Sequence, residues 1–209
     1  MPIDEYFGLP QNAYKIIYAD PPWKYGGGKN PKTFQGLASV HYSTMRTKDI
    51  ARIPVQNLAD KDGAALFIWA TPPMLADALS VMQAWGFSYK TVGFSWVKRS
   101  KNGKPFFGLG LWTRSNAELC LIGVSGKNHP RRQDNHVAQI VETFGRLPHS
   151  KKPDIVRERI VSLMGDLPRV ELFSRGRFDG WDAWGDEADE YIEARVDPAE
   201  CDMQIAMDI

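Results

Sequence analysis

The chain has 209 residues, of which 43% are hydrophobic and 24% are charged, a composition that suits one globular domain with tails. It contains no apolar stretch of about eighteen residues, and residues 1–10 lack the basic start and apolar core of a secretory signal, so we expect a cytoplasmic protein without a membrane partner. The two cysteines and four histidines stand at no metal-ligand spacing, so the sequence predicts neither a disulfide framework nor a metal site.

Charge is distributed unevenly along the chain. Residues 179–209 carry eleven acidic side chains and one basic side chain, Arg195. Residues 1–178 therefore hold 25 Lys and Arg against 14 Asp and Glu, a net charge of +11. A basic body of this kind favours nucleic acid as a partner, and the alternative interpretation is an ordinary soluble surface.

The first half of the chain predicts two buried strands and a helix. Residues 15–19 form a short apolar run that a rigid Asp-Pro-Pro sequence closes, and residues 63–70 form a second such run. Apolar residues at helical spacing predict a helix over 71–85, with two prolines in its first turn, where they are tolerated. Residues 87–97 are rich in aromatic and β-branched residues, which predicts a third strand.

The second half of the chain continues the alternation of predicted strands and helices. Residues 98–115 are basic, glycine-rich and aperiodic, which predicts a long surface loop. Strands are predicted over 117–124, 137–144 and 169–173, and a helix is predicted over 153–164. This order is typical of an α/β domain with a mostly parallel sheet and helices on both faces, whose ligands bind at the carboxyl ends of the strands. We expect the domain to cover residues 1–187 and an acidic tail to cover residues 188–209.

The sequence Asp20-Pro21-Pro22-Trp23 directly follows the first predicted strand. This sequence suits chemistry on the exocyclic amino group of adenine. That group is a poor nucleophile because its lone pair is delocalised into the ring. The Asp20 carboxylate and the Pro21 carbonyl can accept both amine hydrogens and so favour a tetrahedral nitrogen. The two prolines fix this loop and lack competing N–H groups, and Trp23 or Tyr25 can stack on an extruded base. The alternative interpretation is a proline turn with an aromatic residue that only packs.

The loop at 98–115 combines cations with aromatic rings. This combination suits a nucleic-acid strand, because cations neutralise phosphates and rings stack on bases. The alternative interpretation is a solvated charged loop. The residues concerned are Arg99, Lys101, Lys104, Phe106, Phe107, Trp112 and Arg114.

Eight segments share their order and spacing with a known family. They are ADPPW at 19–23, HYSTM at 41–45, LFIWAT at 66–71, WGF at 85–87, GLWTRSNAELCLIG at 110–123, HSKKPD at 149–154, VELFSR at 170–175 and GWDAWGDE at 180–187. Together they resemble the adenine-N6 methyltransferases that include the catalytic subunit of the eukaryotic mRNA adenosine methyltransferase, in their bacterial and phage branch. The resemblance covers about residues 14–187.

The resemblance implies a single Rossmann-like domain that uses S-adenosylmethionine, with a permuted motif order in which the catalytic strand comes early and the cofactor strand late. It implies methylation of the N6 amine of adenine in DNA, without a metal. RNA adenine is the first alternative, and a catalytically inactive nucleic-acid-binding partner subunit is the second. The intact Asp-Pro-Pro-Trp sequence argues against the inactive subunit, and pairing as a homodimer is left open.

The resemblance also assigns residues. The catalytic set is Asp20, Pro21, Pro22 and Trp23. The cofactor-binding set is Asp20, Lys152, Phe173, Arg175, Asp186 and Glu187, in which Lys152 pairs with the cofactor carboxylate. From the family pattern and the composition of the basic loop, the substrate-binding set is Tyr25, Tyr42, Trp112, Arg114 and Glu118. A surface tyrosine at Tyr42 and an ordinary salt bridge at Glu118 are the alternatives there.

Overall fold

The structure is a computed structural model that describes residues 7–25, 44–108, 112–145, 151–186 and 188. Its strands are β1 (Ile16–Ala19), β2 (Ala65–Ala70), β3 (Ser88–Arg99), β4 (Ala117–Val124), β5 (Ile140–Phe144), β6 (Arg169–Leu172) and β7 (Asp182–Trp184). Its helices are α1 (Thr47–Ile50), α2 (Leu75–Ala84) and α3 (Ile155–Met164), with short 3₁₀ turns at Val55–Asn57 and Pro72–Met74. Within these residues, no helix is long and apolar enough to cross a bilayer.

The seven strands form one sheet in the order β5-β3-β4-β2-β1-β6-β7. Strand β4 runs antiparallel to both of its neighbours, β2 and β3. The other pairings, β1 with β2, β1 with β6, β3 with β5 and β6 with β7, are parallel. Six strands therefore run in one direction, and the prediction of a mostly parallel sheet is confirmed.

Alternating side chains of the central strands bury two cores, one on each face of the sheet. This follows from the two-residue period of a strand, which sends neighbouring side chains to opposite faces. Helix α2 packs on the first face and α3 on the second, so the prediction of helices on both faces is confirmed. The first core contains Ile17, Ala19, Leu66, Ile68, Ala78, Val81 and Met82, and the second contains Ile16, Tyr18, Phe67, Trp69, Val156, Ile160 and Met164.

The ends of the two longer helices follow from local sequence. Pro72 lies at the first position of the 3₁₀ turn that leads into α2, where its missing N–H costs no helical hydrogen bond. Gly86, with φ +81°, follows α2, and Gly165, with φ +90°, caps α3. Glycine suits both positions because a positive φ is costly for residues with a Cβ atom.

The largest differences from the predicted strands concern β3, β5 and β7. Strand β3 continues through Lys98 and Arg99, which the sequence placed in the loop, because β5 pairs alongside them. Strand β5 begins at Ile140 rather than at residue 137. Strand β7 was not predicted, since three residues are too few to show a periodicity.

The carboxyl ends of β1, β2, β6 and β7 lie side by side at one edge of the sheet. Ala19 of β1 lies opposite Ile68 of β2 and Leu172 of β6, and Leu172 lies opposite Trp184 of β7. Strand β4 runs the other way, so its beginning reaches the same edge, where Leu119 pairs with Ala70. Residues that directly follow β1, β2, β6 and β7, and those that open β4, therefore surround one region.

Candidate active site

A cavity of about 390 Å³ lies at this edge of the sheet. That volume is in the range of small-molecule sites, roughly 300–1,000 Å³. Asp20 follows β1, Thr71 follows β2, Glu118 opens β4, and Phe173 follows β6, and all four line the cavity. The position agrees with the rule that open α/β sheets bind ligands at the carboxyl ends of their strands.

The loop after β1 is held rigidly at its base. The Trp23 side chain is 6% exposed, and its indole Nε1 donates to the backbone oxygen of Trp69 at 2.9 Å. The Trp23 N–H donates to the Pro21 oxygen at 2.8 Å, and the Met45 N–H donates to the Pro22 oxygen at 2.7 Å. Trp23 thus anchors the loop in the core, which leaves Asp20 and the proline carbonyls at the cavity wall.

Tyr25 lies beyond this anchor and is half-buried. Its hydroxyl lies 2.9 Å from Oγ1 of Thr71 at the end of β2. The ring therefore lines the cavity from the end of the loop, and it is more accessible than the ring of Trp23.

Asp20, Lys152 and Glu118 form an ion-pair network in the cavity wall. The Lys152 ammonium donates to Asp20 Oδ2 at 2.8 Å and lies 3.3 Å from Glu118 Oε2. The second Glu118 oxygen, Oε1, accepts from Lys98. The side chains of Lys152 and Glu118 are only 9% and 14% exposed. Charges of alternating sign therefore run from the end of β3 to the end of β1.

Burial and the neighbouring charges set the protonation of this network. Burial raises the pKa of Asp20 above its ordinary value, and Lys152 opposes that effect. Burial also disfavours the charged form of Lys152, but Asp20 and Glu118 outweigh it, so the pKa of Lys152 is raised. Burial opposes ionisation of Glu118, but Lys152 and Lys98 outweigh it and the pKa of Glu118 is lowered. Lys152 is therefore a fixed cation, whereas Asp20 is more readily protonated by acid than an ordinary aspartate.

A second set of ion pairs fixes the segment that carries Lys152. Lys151 and Arg157 both bind the Asp154 carboxylate, at 2.5 and 2.8 Å. Arg157 of α3 also binds Glu171 of β6 through two hydrogen bonds, 2.6 Å from Nε and 2.8 Å from Nη2. The guanidinium lies 3.4 Å from the centroid of the Phe178 ring. The start of α3 is thus tied to the strand beside β1.

The end of β6 has an unusual backbone. Phe173 has φ +59°, a left-handed conformation that a bulky residue rarely adopts. Its ring packs edge-to-face on Trp184, with centroids 5.4 Å apart. A Cβ atom on Gly185 would lie 2.5 Å from the Ser174 oxygen, so glycine is needed where β7 passes this turn. Strain of this kind is commonly found at functional sites.

Most of the predicted site residues meet at the cavity. Those that line it are Asp20, Pro21, Pro22, Trp23, Tyr25, Glu118, Lys152, Phe173, Arg175 and Asp186. Trp112 and Arg114 are exposed and lie outside the cavity, on the loop between β3 and β4. Tyr42 and Glu187 lie outside the described residues.

Several lining residues were not singled out from the sequence, among them Met45, Trp69, Thr71, Ser174, Trp184 and Gly185. Thr71 directly follows β2, so it could have been identified by the rule that ligands bind at the carboxyl ends of the strands. Trp184 and Gly185 lie in the GWDAWGDE segment, but only the unpredicted strand β7 shows that they reach the site. Lys98 was assigned to the loop and shows no sequence signal for its contact with Glu118.

Comparison with known proteins defines the family. The MT-A70 sequence profile matches residues 14–187, which is most of the chain and includes every described element. The chain belongs to the MT-A70 family. It is a methyltransferase of that family, and the resemblance found in the sequence is confirmed.

The similar proteins differ in how much of their length this chain spans. The type II methyltransferase M.MunI of Mycoplasma sp is 36% identical over 199 residues, which covers 88% of this chain and 82% of that protein. The N6-methyladenosine RNA methyltransferases MTA1 of Pyricularia oryzae and Cryphonectria parasitica are 27% and 24% identical. The chain spans about half of these two proteins, 48% and 53% of their lengths.

Proposed function

We propose that this MT-A70 methyltransferase transfers the methyl group of S-adenosylmethionine to the N6 amine of adenine in DNA. The observation that carries the proposal is the Asp20-Pro21-Pro22-Trp23 loop, which places a carboxylate and a carbonyl at the wall of a cavity that also contains Lys152. The N6-methyladenosine named in two of the relatives agrees with this acceptor atom.

Two acceptor groups of the loop can hold the adenine amine. Asp20 uses Oδ2 for Lys152, so Oδ1 can accept one amine hydrogen. The Pro21 oxygen already accepts from the Trp23 N–H, and its second lone pair can accept the other amine hydrogen. Hydrogen bonds to both hydrogens favour a tetrahedral nitrogen whose lone pair points at the methyl donor. The transfer then depends mainly on proximity and orientation.

The cavity residues fit S-adenosylmethionine as the methyl donor. When bound, this cofactor supplies an electrophilic methyl group on its sulfonium. An ammonium has three donors, and among the described residues Asp20 and Glu118 occupy two donors of Lys152, so the third can bind the cofactor carboxylate. Phe173 and Trp184 provide apolar ring surface, and the Asp186 carboxylate can accept from ribose hydroxyls.

The loop between β3 and β4 is our candidate nucleic-acid interface. Residues 100–116 contain three Lys and Arg and no Asp or Glu. Phe107 is 76% exposed and Trp112 is fully exposed, although large rings are normally buried. Because β3 ends and β4 begins at the cavity edge, this loop lies next to the proposed acceptor site. Cations and exposed rings in that position suit phosphates and extruded bases.

The choice of DNA rests on the comparison of relatives. The chain spans most of the type II methyltransferase M.MunI but only about half of the enzymes named for RNA. RNA adenine remains the second candidate, since those fungal enzymes also match across 86% and 87% of this chain.

The test uses matched DNA and RNA substrates, single- and double-stranded, and a labelled methyl group on S-adenosylmethionine. Hydrolysis to nucleosides then identifies the polymer and the methylated atom. The proposal expects label in N6-methyldeoxyadenosine. Label in N6-methyladenosine alone would move the activity to RNA. Label on a cytosine, or no label from a folded protein that binds nucleic acid, would contradict the proposal.

A further inference from the structure

Lys98 is a cation at the end of β3 whose ammonium is seated between two groups. It donates to Glu118 Oε1, and it lies 4.1 Å from the centroid of the Trp96 ring. Trp96 is 4% exposed and is itself fixed by a 2.8 Å hydrogen bond from Nε1 to Thr143 Oγ1 on β5. A carboxylate on one side and an indole face on the other hold the ammonium more firmly than a single surface ion pair would.

Glu118 connects Lys98 with the proposed acceptor site. Its two oxygens bind different cations, Oε1 with Lys98 and Oε2 with Lys152. Lys152 in turn holds Asp20 at 2.8 Å, a shorter distance than its 3.3 Å to Glu118. The positive charges of Lys98 and Lys152 thus balance the negative charges of Glu118 and Asp20. Without Lys98, Glu118 would turn to Lys152 alone and compete with Asp20 for the same ammonium.

The backbone around Lys98 adds a link to the basic loop. The Lys98 N–H donates to the Asn116 oxygen at 2.8 Å, and its own oxygen accepts from the Phe106 N–H at 3.1 Å. These contacts tie the last residue of the loop, Asn116, and its middle, at Phe106, to the residue whose ammonium holds Glu118. The loop that we propose as nucleic-acid interface thus begins just after Lys98 and Arg99 at the end of β3, next to the residue that ends the ion-pair network.

We infer that Lys98 is a positioning residue of the methyl-transfer site, which holds the Glu118 carboxylate and keeps the Lys152 ammonium on Asp20. The inference rests on the proposed function, because it assigns Lys98 to the same reaction. Lys98 acts through Glu118 and Lys152 and does not itself bind the reacting atoms.

The first test compares Lys98→Met, which keeps the aliphatic stem on Trp96, with Lys98→Arg, whose guanidinium can pair with Glu118 and stack on the indole. For Lys98→Met we expect kcat to fall on the order of tenfold, the size of one lost hydrogen bond between charged groups, and KM for nucleic acid to change less. Lys98→Arg should recover most of the rate. Lys90→Met, which removes an exposed lysine at the other end of β3, should leave kcat unchanged.

A double substitution tests the route. If Lys98 acts through Glu118, adding Lys98→Met to Glu118→Gln should lower kcat no further than Glu118→Gln alone. Independent losses that multiply would overturn the inference. Equal kcat in the wild type and Lys98→Met would overturn it as well, while leaving the proposed function in place.

A titration of the Asp20 carboxyl tests the role of Lys98 without any measurement of methyl transfer. Carbon NMR of labelled Asp and Glu side chains follows the Asp20 carboxyl without any turnover. Loss of a positive charge leaves Glu118 uncompensated beside Asp20, so the Asp20 titration in Lys98→Met should move to higher pH, and in Lys90→Met it should not. An unmoved Asp20 titration would refute the role of Lys98. Absence of methyl transfer by the wild type would refute the proposed function and leave this readout intact.

Discussion

The Lys152 ammonium lies 2.8 Å from Asp20 Oδ2, although the two residues are 132 positions apart in the chain. Sheet topology brings them together, because β1, which Asp20 directly follows, pairs with β6. Helix α3, which follows Lys152, is tied to β6 through Arg157 and Glu171. A carboxylate that burial makes hard to ionise is thus held beside a cation that favours its charged form.

This pairing predicts a pH effect. At saturating cofactor, Lys152→Met should move the acid limb of kcat to higher pH, because burial raises the pKa of Asp20 and Lys152 acts in the opposite direction. Asp20 would then be protonated, and unable to accept the amine hydrogen through a carboxylate, at a pH where the wild type is still active. The variant should also bind S-adenosylhomocysteine more weakly, as titration calorimetry would show.

Lys151→Met is the matched control for that experiment. Lys151 is adjacent in sequence and carries the same charge, but its ion pair is with Asp154. Its pH profile should follow the wild type. A shift of equal size in both variants would mean that net charge, rather than contact with Asp20, sets the profile.

The buried pair of Arg157 and Glu171 should contribute strongly to stability. The two side chains are 10% and 6% exposed, so Arg157→Met leaves a buried carboxylate without its partner. We expect a loss of about 3–5 kcal/mol in the free energy of unfolding, measured in urea. Replacing both residues by methionine should recover part of that loss, because no buried charge is then left alone. Glu158→Gln on the exposed side of the same helix should change little.

Local sequence was sufficient to predict much of this molecule. Apolar runs and prolines located β1, β2, β4, α2 and α3. Asp20 directly follows a predicted strand, as expected for a ligand site at the carboxyl ends of the strands, whereas Phe173 was assigned by the family resemblance. Strand β7 and the end of β3 could not be predicted in this way, since pairing with a neighbouring strand, and not their own residues, makes them strands.

Contacts between charged side chains that are distant in the chain could not be predicted from the sequence either. Arg157 lies on the buried side of α3, and its position in the sequence does not indicate an ion-pair partner. That partner, Glu171, lies on β6. Lys98 and Glu118 are on adjacent strands whose register includes bulges between Tyr89 and Phe94. A contact that depends on such a register cannot be read from spacing alone.

Trp23 and Trp112, which the sequence analysis assigns to the catalytic and substrate-binding sets, should respond differently to substitution. Trp23 is buried and donates to Trp69, so Trp23→Ala should cost about 3–5 kcal/mol of unfolding free energy. Trp112 is fully exposed, so Trp112→Ala should leave the unfolding midpoint unchanged. The same change should weaken nucleic-acid binding roughly ten- to hundredfold if the ring stacks on a base.

Fluorescence anisotropy at fixed salt would measure the binding of Trp112→Ala, with Tyr89→Ala as control. Tyr89 is also exposed, but it lies near the beginning of β3, at the opposite edge of the sheet from the cavity. Equal affinity of Trp112→Ala and the wild type would remove Trp112 from the interface.

Single-turnover methyl transfer by Asp20→Asn measures whether Asp20 holds the acceptor amine. Asparagine keeps the shape of the side chain but removes the charge. Formation of N6-methyladenine should slow by about a hundredfold or more, the usual effect of losing one preorganised contact to the reacting group, while binding of S-adenosylhomocysteine changes far less. Transfer at the wild-type rate would contradict the assignment of Asp20 and with it the proposed acceptor site.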